Sequence, residues 1–263
     1  MNVLFIGDVV GMSGRAAVTH WLPRLRQTYD CDFCVVNGEN SAGGGSGITR
    51  SCVADFNAAG ADAITTGDHI FDQKQFIKGI SLCPNVLRPA NYPPSQPGQT
   101  YRIFTASDGS SVAVFSLVGR VFMGRPGDNP FVAAERMLEE IGDQAQTIIV
   151  DVHAEATSEK IALGRFLDGR VTAVFGTHTH VATADAQVFP GGTAYITDVG
   201  MVGARRSVLG RDPEAVIRSF HTGLPTRYGV VSEDVILCGA VVECDPQTGR
   251  ASKITRVQRD FPT

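Results

Sequence analysis

Metal-binding side chains follow five short apolar segments of this sequence. The candidates are Asp8, Glu39, Asn40, Asp68, His153, His178 and His180. Carboxylate and imidazole groups bind divalent metal ions of hard or borderline character, and no cysteine belongs to the set. One zinc-like site uses about four ligands, so these candidates are enough for two ions that share a bridging carboxylate, as in many phosphatases and nucleases. The pattern therefore predicts a dinuclear metal site.

The motif Gly-Thr-His-Thr-His at residues 176–180 is the most specific single part of the set. Two imidazoles two residues apart point the same way in an extended segment, whereas in a looser turn they splay towards two neighbouring ions. A single Gly-Asp pair, as at residues 7–8, is more typical of a turn with a helix cap. His20 and His221 are set aside as packed or solvated residues. The coincidence at five segment ends favours metal ligands over structural roles.

The apolar segments predict the strands that position these side chains. Strands are predicted at residues 3–6, 33–36, 63–65, 147–152, 171–175 and 194–197, and helices at residues 15–27 (despite Pro23), 51–59, 131–141 and 158–166. Strands that alternate with helices form a largely parallel sheet covered on both faces. In such sheets the ligand crevice lies at the carboxyl ends of the strands. We therefore expect the strand ends to deliver the candidates to one edge.

Two predicted hairpins interrupt this alternation. Residues 101–104 and 112–117 flank a Ser-Asp-Gly-Ser turn, and residues 235–243 and 252–257 flank an Asp-Pro-Gln-Thr-Gly turn. Such runs joined by Gly-containing turns are typical of antiparallel strand pairs. The fold class is therefore α/β with mixed sheets. Because the sequence shows neither repeats nor low-complexity linkers, we expect one domain over residues 1–263.

The composition excludes several other classes of protein. The chain has 263 residues, of which 43% are hydrophobic and 19% charged, as is typical of a folded globular protein. A net charge of -4 gives no basic face for duplex nucleic acid. We see neither a signal peptide nor an apolar run of about 20 residues. The six cysteines, among them Cys31 and Cys34 at a predicted strand, indicate reduced, buried thiols. We expect a cytoplasmic protein without membrane contact.

The loop at residues 41–47 is rich in glycine and serine. Its composition resembles a phosphate-binding loop, but it lacks the Gly-Lys-Ser/Thr ending, and Ile48 breaks the dinucleotide-binding pattern. A flexible surface loop is the alternative. Because the loop directly follows Asn40, we expect it to border the metal site, where glycine lets a substrate approach the backbone closely.

The combined motifs resemble the calcineurin-like metallophosphoesterase superfamily, and more closely its YmdB-like branch of bacterial phosphodiesterases. They comprise residues 7–8, 38–40, 67–69, 153 and 176–180, with Asp-Asn-Pro-Phe at 128–131, Thr-Asp-Val-Gly-Met at 197–201 and Gly-Leu-Pro-Thr-Arg at 223–227. The resemblance covers nearly the whole chain. It implies a four-layer α/β/β/α sandwich and a dinuclear site, often with iron or manganese, zinc or magnesium being alternatives. It also implies hydrolysis of cyclic nucleotides, 2',3'-cyclic, 3',5'-cyclic or both.

The resemblance also implies roles for individual residues. Asp8, Glu39, Asn40 and His180 would hold one metal, with Glu39 as the bridge, and Asp68, His153 and His178 would hold the other. His69 would be the general acid that protonates the leaving oxygen. One position departs from the family pattern, which has Asn where this chain has Asp68. A carboxylate there should tighten metal binding, repel the phosphate of a substrate and raise the pKa of a bound water.

The expected reaction is in-line attack on the phosphorus of a small nucleotide phosphodiester by a metal-activated hydroxide. Glu155, Asp72 and Asp198 are expected to orient the imidazoles. Three alternatives stay open. A phosphomonoesterase would use the same ions, a hydrolase of another bond such as an amide could use a similar ligand set, and a metal-containing regulator or scaffold would hydrolyse only weakly or incidentally. The native metal, the exact substrate and a homo-oligomeric state are open as well.

Overall fold

Two β-sheets lie face to face at the centre of the molecule, and helices cover the outer face of each. This computed structural model describes residues 1–262. In chain order the strands are β1 (Asn2–Ile6), β2 (Asp8–Val9), β3 (Phe33–Asn37), β4 (Ala63–Thr65), β5 (Val86–Leu87), β6 (Tyr101–Thr105), β7 (Ser111–Val118), β8 (Thr147–His153), β9 (Ala173–Thr177), β10 (Gln187–Val188), β11 (Ala194–Ile196), β12 (Met201–Ala204), β13 (Val235–Cys244) and β14 (Ala251–Asp260). The helices are α1 (Gly11–Thr28), α2 (Arg50–Ala59), α3 (Lys74–Gly79), α4 (Pro130–Ile141), α5 (Thr157–Leu167) and α6 (Pro213–Thr222).

The first sheet has eight strands around a parallel centre. Strands β1, β3, β4 and β5 are parallel neighbours in that order. The long strand β13 pairs antiparallel with β1, β12 and β14, and β12 pairs parallel with β2. Because β1, β3 and β4 run in one direction, the residues that follow them emerge at the same edge of the sheet.

The second sheet has six strands in the order β10, β11, β9, β8, β7 and β6. Its four central strands are parallel, whereas β10 and β6 pair antiparallel at the two edges. Strands β8 and β9 run side by side, with His153 opposite Thr177 at their carboxyl ends. This register places the histidine that ends β8 beside the segment that follows β9.

Three apolar cores separate the four layers. In β1, Leu4 and Ile6 pack with the helix side of the first sheet, while Val3 and Phe5 face the second sheet. Phe5 stacks on Phe175 of the second sheet, with ring centroids 4.5 Å apart. A third core fills the space between the second sheet and helices α4 and α5. The predicted α/β/β/α sandwich is therefore confirmed, and its central strands are apolar on both faces because both faces are buried.

Most predicted elements are confirmed to within a few residues, including both hairpins. The expectation of one sheet covered by helices on both faces is wrong, because the parallel strands divide between two sheets. Helix α1 starts earlier than expected and continues through Pro23, since its buried face packs on the first sheet. Helices α3 and α6 and the short strands β2, β5, β10 and β12 were not predicted. The single domain over residues 1–263 stays a prediction.

The six cysteines are free and buried, as expected. Cys34 lies in β3 and Cys31 precedes that strand, so the two thiols lie at the entry of the strand as expected. None of the helices in the described part of the chain combines the length and apolar character needed to cross a membrane.

Candidate metal centre

The carboxyl ends of strands from both sheets meet at one edge of the sandwich. The first sheet delivers Asp8 in β2 and the residues that follow β3 and β4, and the second delivers His153 at the end of β8 and the residues that follow β9. The predicted convergence of strand ends is thus observed, but it occurs across two sheets. The candidate side chains are gathered at the seam between them.

Four of these side chains form a compact cluster that could hold a metal ion. They are Glu39, Asp68, His153 and His178, and each offers one ligand atom within 4.8 Å of the others. The Nε2 atom of His153 lies 3.1 Å from Glu39 Oε1 and 3.2 Å from Asp68 Oδ1. The Nδ1 atom of His178 lies 3.0 Å from the same Nε2 atom. Nitrogen and oxygen atoms from several strand ends therefore meet in one small volume.

Asp8, Asn40 and His180 lie beside this cluster. His180 Nε2 is 3.2 Å from Asn40 Oδ1 and 3.9 Å from Asp8 Oδ1. The same Asp8 oxygen is 3.7 Å from His153 Nδ1, which connects the two groups. This oxygen is buried and has no hydrogen-bond partner among residues 1–262. Because a buried carboxylate oxygen without a partner is unfavourable, the site has the chemistry of a cation-binding centre, and the donor set fits a divalent metal.

The electrostatics of the centre favour positive charge. Burial raises the pKa of Asp8. Burial lowers the pKa of His153, but the carboxylates of Glu39 and Asp68 outweigh this and hold it well above its usual value. At Asp68 burial acts to raise the pKa, but the hydrogen bond from His153 and the charges of the imidazoles outweigh it and lower the pKa of that carboxyl. Burial and the neighbouring His153 lower the pKa of His178 to about 3, so this imidazole is neutral, the form that binds metals.

The two histidines after β9 have backbones that are unfavourable for residues other than glycine. The φ angle is +92° at His178 and +64° at His180, and such conformations persist only where surrounding contacts enforce them. Asp198 is fully buried and accepts hydrogen bonds from the backbone N–H and the hydroxyl of Thr179, at 3.1 and 2.7 Å. Lys160, also fully buried, donates to Asp198 at 2.8 Å and to the carbonyl before His178 at 2.6 Å. This buried ion pair holds the histidine loop in place.

A buried carboxylate beneath the centre orients His153. Asp151 accepts a hydrogen bond from the hydroxyl of Thr177 at 2.6 Å and two more from Asn37 and Thr65 of the first sheet, at 2.8 and 2.6 Å. Because that hydroxyl donates to Asp151, it accepts from His153 Nδ1–H at 2.9 Å. Nε2 is then the nitrogen that faces the cluster, and it would bind a metal ion that displaces its proton. Burial raises the pKa of Asp151 to about 6.

His69 lies at the edge of the centre, with 37% of its side chain exposed. Its Nδ1 atom is 2.8 Å from Asp72 Oδ2, and its Nε2 atom is 4.0 Å from Asp68 Oδ2. Asp72 also accepts hydrogen bonds from Ser46 and Arg125. The ring is thus fixed through one nitrogen by a carboxylate that is itself fixed, while its other nitrogen stays near the acidic cluster.

A cavity of about 290 Å³ opens above these side chains. Its wall contains metal-ligand candidates and His69, together with Glu155, Leu209 and Arg211. The glycine-rich loop borders the centre as expected, since Ser46 contacts His69 and Arg211 donates to the carbonyl of Gly44 at 2.8 Å. Sequence reasoning missed Arg211, which lies in a segment where no element was predicted and no motif marked it.

The three expected orienting carboxylates have different roles. Glu155 lies 3.2 Å from His178 Nε2, and Asp72 contacts His69, so both expectations are confirmed. Asp198 instead accepts hydrogen bonds from the backbone and hydroxyl of Thr179, so it acts on the loop between the two histidines and not on an imidazole directly.

Solved structures define the class of protein to which this fold belongs. A crystal structure of a hypothetical protein from Thermus thermophilus is 39% identical, with a TM-score of 0.92 over 100% of both chains. The crystal structure of a novel phosphatase from Mycoplasma pneumoniae is 33% identical, with a TM-score of 0.92 over 99% of this chain and 93% of that one. The architecture is therefore that of a metallophosphoesterase-like phosphatase.

Sequence relatives identify the family within this class. The family model described as YmdB-like protein matches residues 4–257. A Bacillus subtilis (strain 168) protein named 2',3'-cyclic-nucleotide 2'-phosphodiesterase is 46% identical over 257 residues, covering 98% of this chain and 96% of the relative. The chain belongs to the YmdB-like protein family, which confirms the resemblance, and the expectation that it is an enzyme is confirmed as well.

Proposed function

We propose that this protein is a metal-dependent phosphoric diester hydrolase that opens 2',3'-cyclic nucleotides. The observation that carries the proposal is the buried cluster of Glu39, Asp68, His153 and His178, whose ligand atoms lie within 4.8 Å of one another beside a cavity. The name of the Bacillus subtilis relative supports a cyclic nucleotide as the substrate. The cavity, of about 290 Å³, lies near the lower end of the range for small-molecule sites, which suits a single nucleotide better than a polymer.

The donor set suits two divalent ions. In the proposed arrangement Asp8, Asn40 and His180 would hold one ion, Asp68, His153 and His178 would hold the other, and the carboxylate of Glu39 would be available to both. The observed separation of the side chains into a cluster around His153 and a neighbouring group around His180 supports this division. Imidazole and carboxylate donors without thiolate suit iron or manganese and are also compatible with zinc or magnesium.

Divalent ions held by these residues would lower the pKa of coordinated water and neutralise charge on a phosphate group. The chain itself contributes orientation and a proton. Asp72 accepts from Nδ1–H of His69 and fixes the orientation of the ring, so that Nε2 is the nitrogen that can deliver a proton to the leaving oxygen. General-acid catalysis of this kind contributes roughly 10²–10⁴-fold. His69→Ala should therefore slow turnover by about that factor while leaving the metal content unchanged, and loss of metal in this variant would make His69 a ligand instead.

The decisive experiment combines metal replacement with a substrate panel. Purified protein is stripped with a chelator, reloaded separately with manganese, iron, zinc or magnesium, and assayed on 2',3'-cyclic AMP, 3',5'-cyclic AMP and a linear diester. We expect metal-dependent opening of the 2',3'-cyclic ring that His153→Ala abolishes and the matched variant His20→Ala retains. Absence of hydrolysis with every metal and diester, in protein that binds metal, would instead favour a regulator or scaffold.

Phosphomonoester hydrolysis is a second candidate function. It is favoured by the name of the Mycoplasma pneumoniae structure, a novel phosphatase, and by the name putative phosphatase/phosphodiesterase of a Mycoplasma genitalium relative that is 34% identical over 264 residues. Assaying 4-nitrophenyl phosphate beside the diesters distinguishes the two. A higher kcat/KM for the monoester in every metal form would assign the centre to monoesters.

A further inference from the structure

A second cavity, of about 230 Å³, lies between the end of β5 and helix α4. It shares no lining residue with the cavity at the metal centre. Its wall includes Arg88, which directly follows β5, and Arg136 and Glu140 of α4. Because a water molecule takes about 30 Å³ in the liquid, this cavity has room for a polyatomic ion and several waters.

Arg88 is a buried cation without an acidic partner. Only 4% of the residue is exposed. Its Nη1 atom donates to the carbonyls of Pro89 at 3.0 Å and Tyr92 at 3.4 Å, whereas Nε is buried and has no hydrogen-bond partner among residues 1–262. Buried charges in proteins are normally paired. The described residues supply Arg88 with two carbonyl dipoles and no negative charge.

Arg136 places a second positive charge at the same cavity. Its Nη2 atom donates to the carbonyl of Ala90 at 2.7 Å, which fixes the guanidinium beside the chain that follows Arg88. The carboxylate of Glu140 is 3.9 Å from Arg136 Nε and 45% exposed, so this pair is solvated and weak. Burial lowers the pKa of Arg88, and the charge of Arg136 lowers it further, while no carboxylate offsets the two effects. An anion bound beside the two guanidinium groups would offset both the cost of burying the charge of Arg88 and its repulsion by Arg136.

We propose that Arg88 and Arg136 bind a phosphate group in this cavity. The planar fork of a guanidinium group matches the oxygen geometry of phosphate, and bonds to an ionised oxygen are stronger than neutral ones. A phosphate monoester carries about −1.5 to −2 charges at pH 7, so two cations favour it over a monocarboxylate. The ligand is inorganic phosphate or the phosphate group of a small monoester.

Calorimetric titration of the metal-loaded protein with inorganic phosphate tests the site. Because phosphate also binds a metal centre, we expect two classes of site in the natural sequence. In Arg136→Gln one of these classes should bind phosphate at least tenfold more weakly, while the class at the metal centre is unchanged. The matched variant Arg218→Gln, an exposed arginine of α6, should retain both. Arg88→Lys keeps the charge but removes the fork and should weaken the same class. Hydrolysis of the diester by each variant checks that the fold and the metal centre are intact.

Parallel titrations with ribose 5-phosphate distinguish the source of the phosphate group, since the ligand that binds this class more tightly is the better candidate. Crystals soaked in selenate locate the site independently, and an anomalous peak between Arg88 and Arg136 is expected. Titration of Arg136→Gln that matches the natural sequence, or selenate bound at the metal centre alone, would overturn the proposal without affecting the proposed hydrolase function.

Discussion

Thr177→Val isolates the hydrogen-bond relay beneath the metal centre. The substitution preserves shape but removes the hydroxyl that donates to Asp151 at 2.6 Å and accepts from His153 Nδ1–H at 2.9 Å. The imidazole then loses the contact that sets its tautomer and its ring orientation. Loss of such an orienting partner typically weakens metal binding by about 10- to 100-fold, which corresponds to about 1.4–2.8 kcal/mol.

Competition between the protein and a chelating indicator for manganese measures this affinity directly. We expect the weaker binding described above, with most of kcat recovered when the metal is saturating, because the ligand itself is still present. Thr193→Val is the matched control, since Thr193 is also fully buried and hydrogen-bonded but its hydroxyl contacts the carbonyl of Val171 at 2.6 Å, at the opposite ends of the strands. If Thr177→Val bound manganese as tightly as Thr193→Val, the proposed relay to His153 would be wrong.

Three further predictions concern other parts of the centre. Lys160→Met leaves the charge of Asp198 buried without its cationic partner, so we expect a loss of about 3–5 kcal/mol in the free energy of unfolding, measured by urea denaturation and partly restored in the double variant with Asp198→Asn. Asp68→Asn removes one negative charge from the metal cluster; we expect weaker metal binding in the indicator assay but faster turnover of loaded enzyme, and unchanged affinity would contradict this. Burial raises the pKa of Asp72, but its hydrogen bonds from Ser46, Arg125 and His69 outweigh this and lower that pKa. The stability that this lowered pKa contributes is fully present above the pKa of Asp72 in the unfolded chain, about 3.9. It is lost as the pH falls through the lower pKa of Asp72 in the folded protein. Asp72→Asn should therefore lower the free energy of unfolding by about 1–3 kcal/mol at pH 7 and by progressively less below pH ~4. The measurement is urea denaturation of the variant and of the natural sequence, with a chelator present.

The positions of the metal-ligand candidates could be predicted because each apolar run is long enough to identify a strand and each is followed by a distinctive polar residue. Parallel strands place their carboxyl ends together whatever their order. The division into two sheets could not be predicted in the same way. Val3 and Phe5 face the second sheet while Leu4 and Ile6 face helices, yet all four are apolar, so the pattern does not tell a sheet neighbour from a helix neighbour.

The features that sequence reasoning missed depend on contacts between distant segments. Arg211 reaches the glycine-rich loop by donating to the carbonyl of Gly44, which lies 167 positions earlier. The left-handed backbone at His178 and His180 is held by Lys160 and Asp198. Histidine is enriched in this conformation, but only a few per cent of non-glycine residues adopt it, so the residue type alone does not indicate it. Such features arise only once the chain has folded, because neither partner is recognisable without the other.

Under the proposed function, the position of the centre across the seam between the sheets links catalysis to the rigidity of the whole sandwich. Ligands from both halves must keep their spacing for an ion to bind, so binding of the ion and packing of the interior stabilise each other reciprocally. Phe175 stacks on Phe5 of the other sheet and is not a candidate ligand. The substitution Phe175→Leu would nevertheless weaken metal binding, because it would loosen the packing between the two sheets. Evolutionary selection for metal affinity would thus act on apolar core residues as well as on the ligands.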